Sequence, residues 1–129
     1  MDLDGFKAVN DGLGHLAGDA VLEEVARRLR AVVRGSDTLA RFGGDEFVVI
    51  CEDIGADEAQ GLAERIRLAV KQPMPGPAAA FAVTASVGIA LHEPVDGSAV
   101  TAAEILKAAD VAMYASKCAG KDHITLVSA

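Results

Sequence analysis

The sequence is poor in aromatic residues, in cysteine and in basic charge. Aromatic side chains make up 4% of its 129 residues and tryptophan is absent, while 51% of residues are hydrophobic. A core must therefore be built from Leu, Ile, Val and Ala, and an apolar fraction this high argues against intrinsic disorder. The formal net charge of -7 denies the chain any broad attraction to nucleic-acid phosphates or anionic lipid. No nucleic-acid partner is expected, and a phosphate-bearing ligand would need a local site or metal ions. The two cysteines, Cys51 in an apolar run and Cys118 near a helix end, lack metal-ligand spacing, so a reducing, cytoplasmic setting is the simplest expectation. No basic, apolar leader opens the chain, and no signal peptide is expected. The stretch 73–91 is uncharged and nearly long enough to span a bilayer, but Pro73, Pro75 and Pro77 interrupt it. After them Val83, Ala85, Val87, Ile89 and Leu91 alternate with Thr84, Ser86, Gly88 and Ala90, which predicts a strand and no membrane segment.

What is present fits one domain over residues 1–129. Met1 to Asp4 reads as the tail of a strand whose beginning is missing, followed at once by a charged loop. Apolar residues from Leu16 to Val33 predict a surface helix, with Glu23, Glu24, Arg27, Arg28 and Arg30 on its outer side. Thr38 to Phe42 and Phe47 to Cys51 predict two strands joined by a tight Gly43-Gly44 turn. A second amphipathic helix is expected from Ala56 to Gln72. Thr101 and Glu104 form a capping box for a third, with Ile105, Leu106, Ala109, Ala112 and Met113 inward and Gly120 at its end. A strand from His123 to Val127 closes the chain. This order predicts an α/β (α+β) domain of two layers, with a mixed, mainly antiparallel sheet flanked by helices and its first strand largely missing.

The acidic residues carry the chemistry. Asp2 and Asp4 are expected to point to opposite faces at the strand end, so that one of them, Asp2, can share a site with Asp45 and Glu46 if the hairpin lies beside the first strand. Crowded carboxylates repel unless a cation sits among them, and oxygen ligation without His or Cys favours Mg²⁺ or Mn²⁺ and phosphoryl transfer. Solvated turn acids are the alternative, since Asp-Gly and Gly-Asp pairs populate ordinary turns. A calcium loop does not fit, because the glycine falls at loop position four and no Glu closes the loop at twelve.

The motifs Asp2-Leu3-Asp4-Gly5-Phe6-Lys7, Asn10-Asp11, Gly14-His15, Gly18-Asp19 and Gly43-Gly44-Asp45-Glu46-Phe47 occur in this order. Ser86 to Ala90, Ala109 to Lys117 and Gly120-Lys121 follow. Together they resemble the GGDEF domain of diguanylate cyclases over nearly the whole chain. The resemblance implies a fold like the palm of polymerases and nucleotidyl cyclases, and condensation of two GTP into cyclic di-GMP and two pyrophosphates by a homodimer with two Mg²⁺ or Mn²⁺ ions per site. It implies metal ligation by Asp2, the Leu3 carbonyl, Asp45 and Glu46, with Asp45 as the proposed base. Lys7 would stabilise charge on the triphosphate, and Lys117 and Lys121, four apart on one helix face, would reach its terminal phosphates. Asn10 and Asp19 would pair with the guanine edge, His15 would touch substrate, and the Gly43-Gly44 backbone would approach the nucleotide closely. Arg34 and Asp37, joined by Arg65, would bind cyclic di-GMP as an inhibitor. Taken singly, the lysines fit a solvated helix C-terminus, and Arg34-Gly35-Ser36-Asp37 fits a helix end followed by a turn.

The sequence departs from the family pattern in lacking the helical segment with an Asp-x-Leu-Thr motif and most of the first strand. It also has Lys at 121 where Arg is frequent. A non-catalytic module binding GTP or cyclic di-GMP is the alternative function, and a different nucleotidyl cyclase on the same fold is a third.

Overall fold

The computed structural model describes residues 1–93 and 99–129. Its elements are β1 (Asp2–Asp4), α1 (Phe6–Leu13), α2 (His15–Val32), β2 (Thr38–Gly43), β3 (Glu46–Ile50), α3 (Ala56–Lys71), a short 3₁₀ helix (Gly76–Ala80), β4 (Thr84–Leu91), α4 (Ala102–Cys118) and β5 (Ile124–Ser128). The strands form one sheet in the order β2-β3-β1-β4-β5. All neighbours are antiparallel except β4 and β5, so the expected mixed, mainly antiparallel sheet of an α+β fold is observed. Three-residue β1 sits at its centre, paired on both sides.

Strand alternation sorts the two faces. Leu3, Phe47, Val83, Ala85 and Val87 join the core cluster with Val21, Val25 and Leu29 of α2 and Leu62, Ile66 and Val70 of α3. On the other face lies α4. A Cβ at Gly88 would collide with the Ala109 carbonyl and Met113 amide, so helix backbone rests directly on β4 and only glycine leaves room for it. Buried Ser116 of α4 donates to the Val87 carbonyl at 2.8 Å and so ties the helix to the strand.

Most expected elements are present within one or two residues of their expected bounds, and the Thr101–Glu104 capping box forms as expected. The charged loop after Asp4 is instead α1, which buries Val9. It is only eight residues long, contains Gly12 and has no side-chain cap, so local propensity signals it weakly and packing on α2 supplies the rest. Two residues assigned inward are exposed. Leu16 is 87% exposed on the first turn of α2 and Leu106 is 38% exposed, because the apolar stripe of each helix is wider than the surface it covers. Cys51 falls just beyond β3. No helix among the described residues is long and apolar enough to cross a membrane.

Candidate active site

The central strand meets the hairpin tip. Phe47 N–H donates to the Met1 carbonyl at 2.9 Å and Leu3 N–H to the Asp45 carbonyl at 3.1 Å, flanking the directly opposed pair Asp2 and Glu46. In that arrangement the opposed residues form the narrow, non-hydrogen-bonded type of pair, with side chains close together on one face. Because N–H and C=O of one strand residue point the same way, the Leu3 carbonyl also faces β3. The turn itself is Gly44-Asp45, with Gly43 pairing Glu46 across it and a register shift between Arg41 and Gly43. Gly44 is left-handed, with φ of 35°, whereas a Cβ at Gly43 would meet no protein atom within 4 Å. Folding therefore accounts for the first glycine of the turn poorly and for the second well.

Asp2 and Asp4 do not point to opposite faces. Residues two apart on a strand share a face, and core-facing Leu3 lies between them. Both carboxylates raise the pKa of Lys117 and of Asp45. Burial opposes the charge on Lys117, yet Asp2, then Asp4 and Asp45, outweigh it and hold the ammonium above its ordinary value. For Asp45, burial and then the negative charge of Asp2 push the carboxyl up. Lys117 Nζ lies 2.9 Å from Asp2 Oδ1, and among the described residues this ammonium is the one partner that the buried oxygen has. The tip thus holds Asp2, Glu46 and Asp45 with one lysine among them. Among the described residues no three His, Cys, Asp or Glu side chains are already gathered tightly enough to hold a metal ion. An all-oxygen donor set, with a buried carboxylate oxygen held by one ammonium alone, nevertheless fits a hard divalent cation, whose charge would relieve the repulsion seen at Asp45.

Asp4 faces the same side but is saturated. It accepts from Thr84 Oγ1 at 2.9 Å, Ser86 Oγ at 2.8 Å and the Asp122 N–H at 3.1 Å. These partners were not anticipated from sequence, although the two-residue spacing from Asp2 was a readable signal.

The remaining predicted residues divide. Gly18 of α2 has no room for a Cβ, which would overlap the Asn10 Oδ1 atom. Asn10 of α1 therefore packs against α2 at Gly18, the residue before Asp19, and Asn10 Oδ1 is buried without a donor. Asp19 also lines a cavity of about 390 Å³ between α2 and the hairpin, with Leu22, Leu39, Arg41 and Phe47. That volume lies in the range of small-molecule sites. Lys7 and His15 are exposed on α1 and at the start of α2. Lys121 does not share a helix face with Lys117, because α4 ends at Cys118 and Lys121 is left-handed, with φ of 64°, beyond Gly120. The helix could not continue through Gly120, whose φ is 115°.

Arg34 and Asp37 are paired with each other. Asp37 Oδ2 accepts the Arg34 N–H at 2.8 Å, the guanidinium lies 3.2 Å from Oδ1, and Asp37 N–H donates to the Arg34 carbonyl at 3.0 Å. The Arg34 backbone N–H, followed by its guanidinium, holds the Asp37 carboxyl below its ordinary value against the cost of burial. Arg65, exposed on α3, makes no ion pair or hydrogen bond to either among the described residues.

A mixed, mainly antiparallel sheet with helices on both faces and acidic residues at its central strand and adjoining hairpin is the architecture of a nucleotidyl-cyclase-like domain. Residues 1–123 match the family described as diguanylate cyclase, GGDEF domain, and the chain belongs to that family. It is 48% identical over 122 residues to the bifunctional diguanylate cyclase/cyclic di-GMP phosphodiesterase MucR of Pseudomonas aeruginosa, a match covering 95% of this chain and 17% of MucR. The chain thus spans under a fifth of that relative's length. The crystal structure of the GGDEF domain of PA1120 (YfiN or TpbB) from P. aeruginosa superposes with a TM-score of 0.85 at 38% identity, covering 98% of this chain and 78% of that one. The GGDEF domain of DgcB from Caulobacter crescentus in complex with c-di-GMP gives a TM-score of 0.80 at 31% identity, covering 97% of this chain and 73% of that one.

Proposed function

We propose that this chain is a diguanylate cyclase domain over residues 1–129, condensing two GTP into cyclic di-GMP with release of two pyrophosphates. The observation that carries this reading is the register of Asp2 directly opposite Glu46, with Asp45 at the adjoining turn. In each of two transfers a ribose 3′-hydroxyl oxygen attacks the α-phosphorus of the other GTP, the hydroxyl loses its proton, and pyrophosphate leaves. Asp2, the Leu3 carbonyl, Asp45 and Glu46 would hold two divalent ions, Mg²⁺ or Mn²⁺. When bound, these ions supply charge neutralisation on the phosphates and ease deprotonation of the hydroxyl.

The protein's own residues bind and orient. Asp45, its carboxyl pushed up by burial and by Asp2, is a stronger base than an ordinary aspartate and would accept the hydroxyl proton. Lys117, already drawn to the acidic tip, together with Lys7 and Lys121 would neutralise the triphosphate. Asn10 and Asp19 would read the guanine edge, with an unsatisfied buried amide oxygen supporting the role of Asn10. His15 would contact substrate nearby. Gly43, unconstrained by packing, would let the nucleotide approach the backbone. Each copy holds one GTP, so the active species is a homodimer. Cyclic di-GMP binds at Arg34, Asp37 and Arg65 and inhibits, exchanging the internal Arg34–Asp37 pairing for contacts to the ligand.

Incubation with GTP and Mg²⁺ followed by mass spectrometry of the products tests this. Cyclic di-GMP is expected, and its yield should fall when product is added and be rescued by Arg34→Ala. GTP binding without any turnover would instead establish a ligand-binding module, and turnover of ATP in preference to GTP would establish a different nucleotidyl cyclase.

A further inference from the structure

Two carboxylates are buried among the described residues, Asp2 and Asp4, and the reading above gives Asp4 no task. Its three donors come from β4 and from the turn after α4. That turn is unusual in its own backbone. Lys121 and Asp122 are consecutive non-glycine residues with φ of 64° and 44°, a region that L side chains avoid and that persists only where surrounding contacts enforce it. The contacts are present. The Lys121 N–H donates to the Ser116 carbonyl at 3.2 Å, and the Asp122 N–H donates to Asp4 Oδ2 at 3.1 Å. The Asp122 carboxylate accepts from Arg67 Nη1 and Lys71 Nζ of α3, each at 2.6 Å. Lys121 is thereby fixed between an anchor on α4, one residue before Lys117, and an anchor on the central strand, two residues after Asp2. The Lys121 side chain is exposed and makes no ion pair among the described residues.

We propose that Asp4 is a positioning residue for the phosphate end of the site. Its carboxylate, with Asp122 tied to α3, holds the left-handed turn that presents the Lys121 ammonium beside Lys117 to the terminal phosphates of the nucleotide. The inference rests on the functional reading above. Asp4 touches no substrate and acts through Lys121, so its loss should be felt by a triphosphate and not by a monophosphate, and only while Lys121 is present.

The test is equilibrium binding in Mg²⁺ of a GTP analogue carrying methylene in place of the α–β bridging oxygen, compared with GMP. Loss of the charge-assisted hydrogen bond from Asp122 in Asp4→Asn should weaken the analogue by about five- to tenfold and leave GMP within about twofold. Lys121→Ala should do the same, and the double variant should bind no more weakly than Lys121→Ala alone. Equal weakening of both nucleotides, additivity with Lys121→Ala, or no change in Asp4→Asn would overturn the inference. Should Asp4→Asn not fold, Asp122→Asn decides by the same comparison. Asparagine tolerates the left-handed backbone and keeps the N–H while losing the ion pairs to α3. Its loss should again be confined to the analogue, and indifference to the triphosphate would overturn the inference. If the unaltered chain binds neither nucleotide, the functional reading falls together with the inference. If it prefers the analogue and the variants do not change that preference, the inference falls alone.

Discussion

Two groups of acidic residues, one around Asp4 and one around Asp2 of the central strand, meet opposite surroundings. Asp4 and Asp122 are supplied with donors, three to the first and two cationic side chains to the second. Asp2, on the same strand, has the Lys117 ammonium 2.9 Å from Oδ1, and Asp45 and Glu46 make no ion pair among the described residues. The direction of the pKa changes follows the supply. Lys71 and Arg67 hold the Asp122 carboxyl down despite the cost of burial, whereas burial and Asp2 push Asp45 up. A buried carboxylate with few donors is costly, so the group held by one ammonium is the one whose burial a cation would offset, as the proposed function requires. The first group serves the fold, and the second is the one proposed above to hold a cation.

Three experiments probe that division. The largest effect is expected at the starved group. Asp45→Asn should lower cyclic di-GMP synthesis by at least about a hundredfold, the loss of several kcal/mol of charge stabilisation. The same substitution should raise the thermal midpoint of the metal-free protein slightly at neutral pH, since it removes a charge that folding disfavours. A lowered midpoint there would show that Asp45 belongs to the scaffold.

Next comes Lys117→Met, which keeps an unbranched apolar stem and removes the one ammonium paired with Asp2 among the described residues. The uncompensated charge should destabilise the metal-free protein by about 1–2 kcal/mol in a denaturant titration. Added Mn²⁺ should then raise the stability of the variant more than that of the parent, because the ion takes the place of the lost charge. Equal responses of the two would mean that the Lys117 ammonium and the cation do not share a site.

The smallest effect belongs to the saturated group. Asp122→Asn should cost about 1 kcal/mol at neutral pH. Because the folded carboxyl of Asp122 titrates below its unfolded value of 3.8, this stabilisation is present above that value and is lost as pH falls through the folded pKa. The difference in midpoint between parent and variant should therefore vanish in strong acid and persist at pH 5. A difference that already disappears by pH 5 would remove Asp122 from the saturated group.

Much of this arrangement can be read along the chain. Alternation after Pro77, the apolar stripes of α2 and α3, the Thr101–Glu104 cap and the Gly43-Gly44 hairpin are local signals. Local chemistry sets them, through side-chain period, capping and backbone freedom. The motif set from Asp2 to Lys121 likewise carries the family. Helix α1 was not legible because eight residues with one glycine are too short to announce themselves without α2 beside them. The shared face of Asp2 and Asp4 is legible in the sequence, since a strand repeats every two residues. Tertiary structure alone decided which acids go hungry. Whether a carboxylate finds a hydroxyl from β4, an amide beyond α4 or only a lysine depends on contacts between residues separated by up to 118 positions. A pattern with a period of two or four residues holds no information about neighbours brought together at such distances.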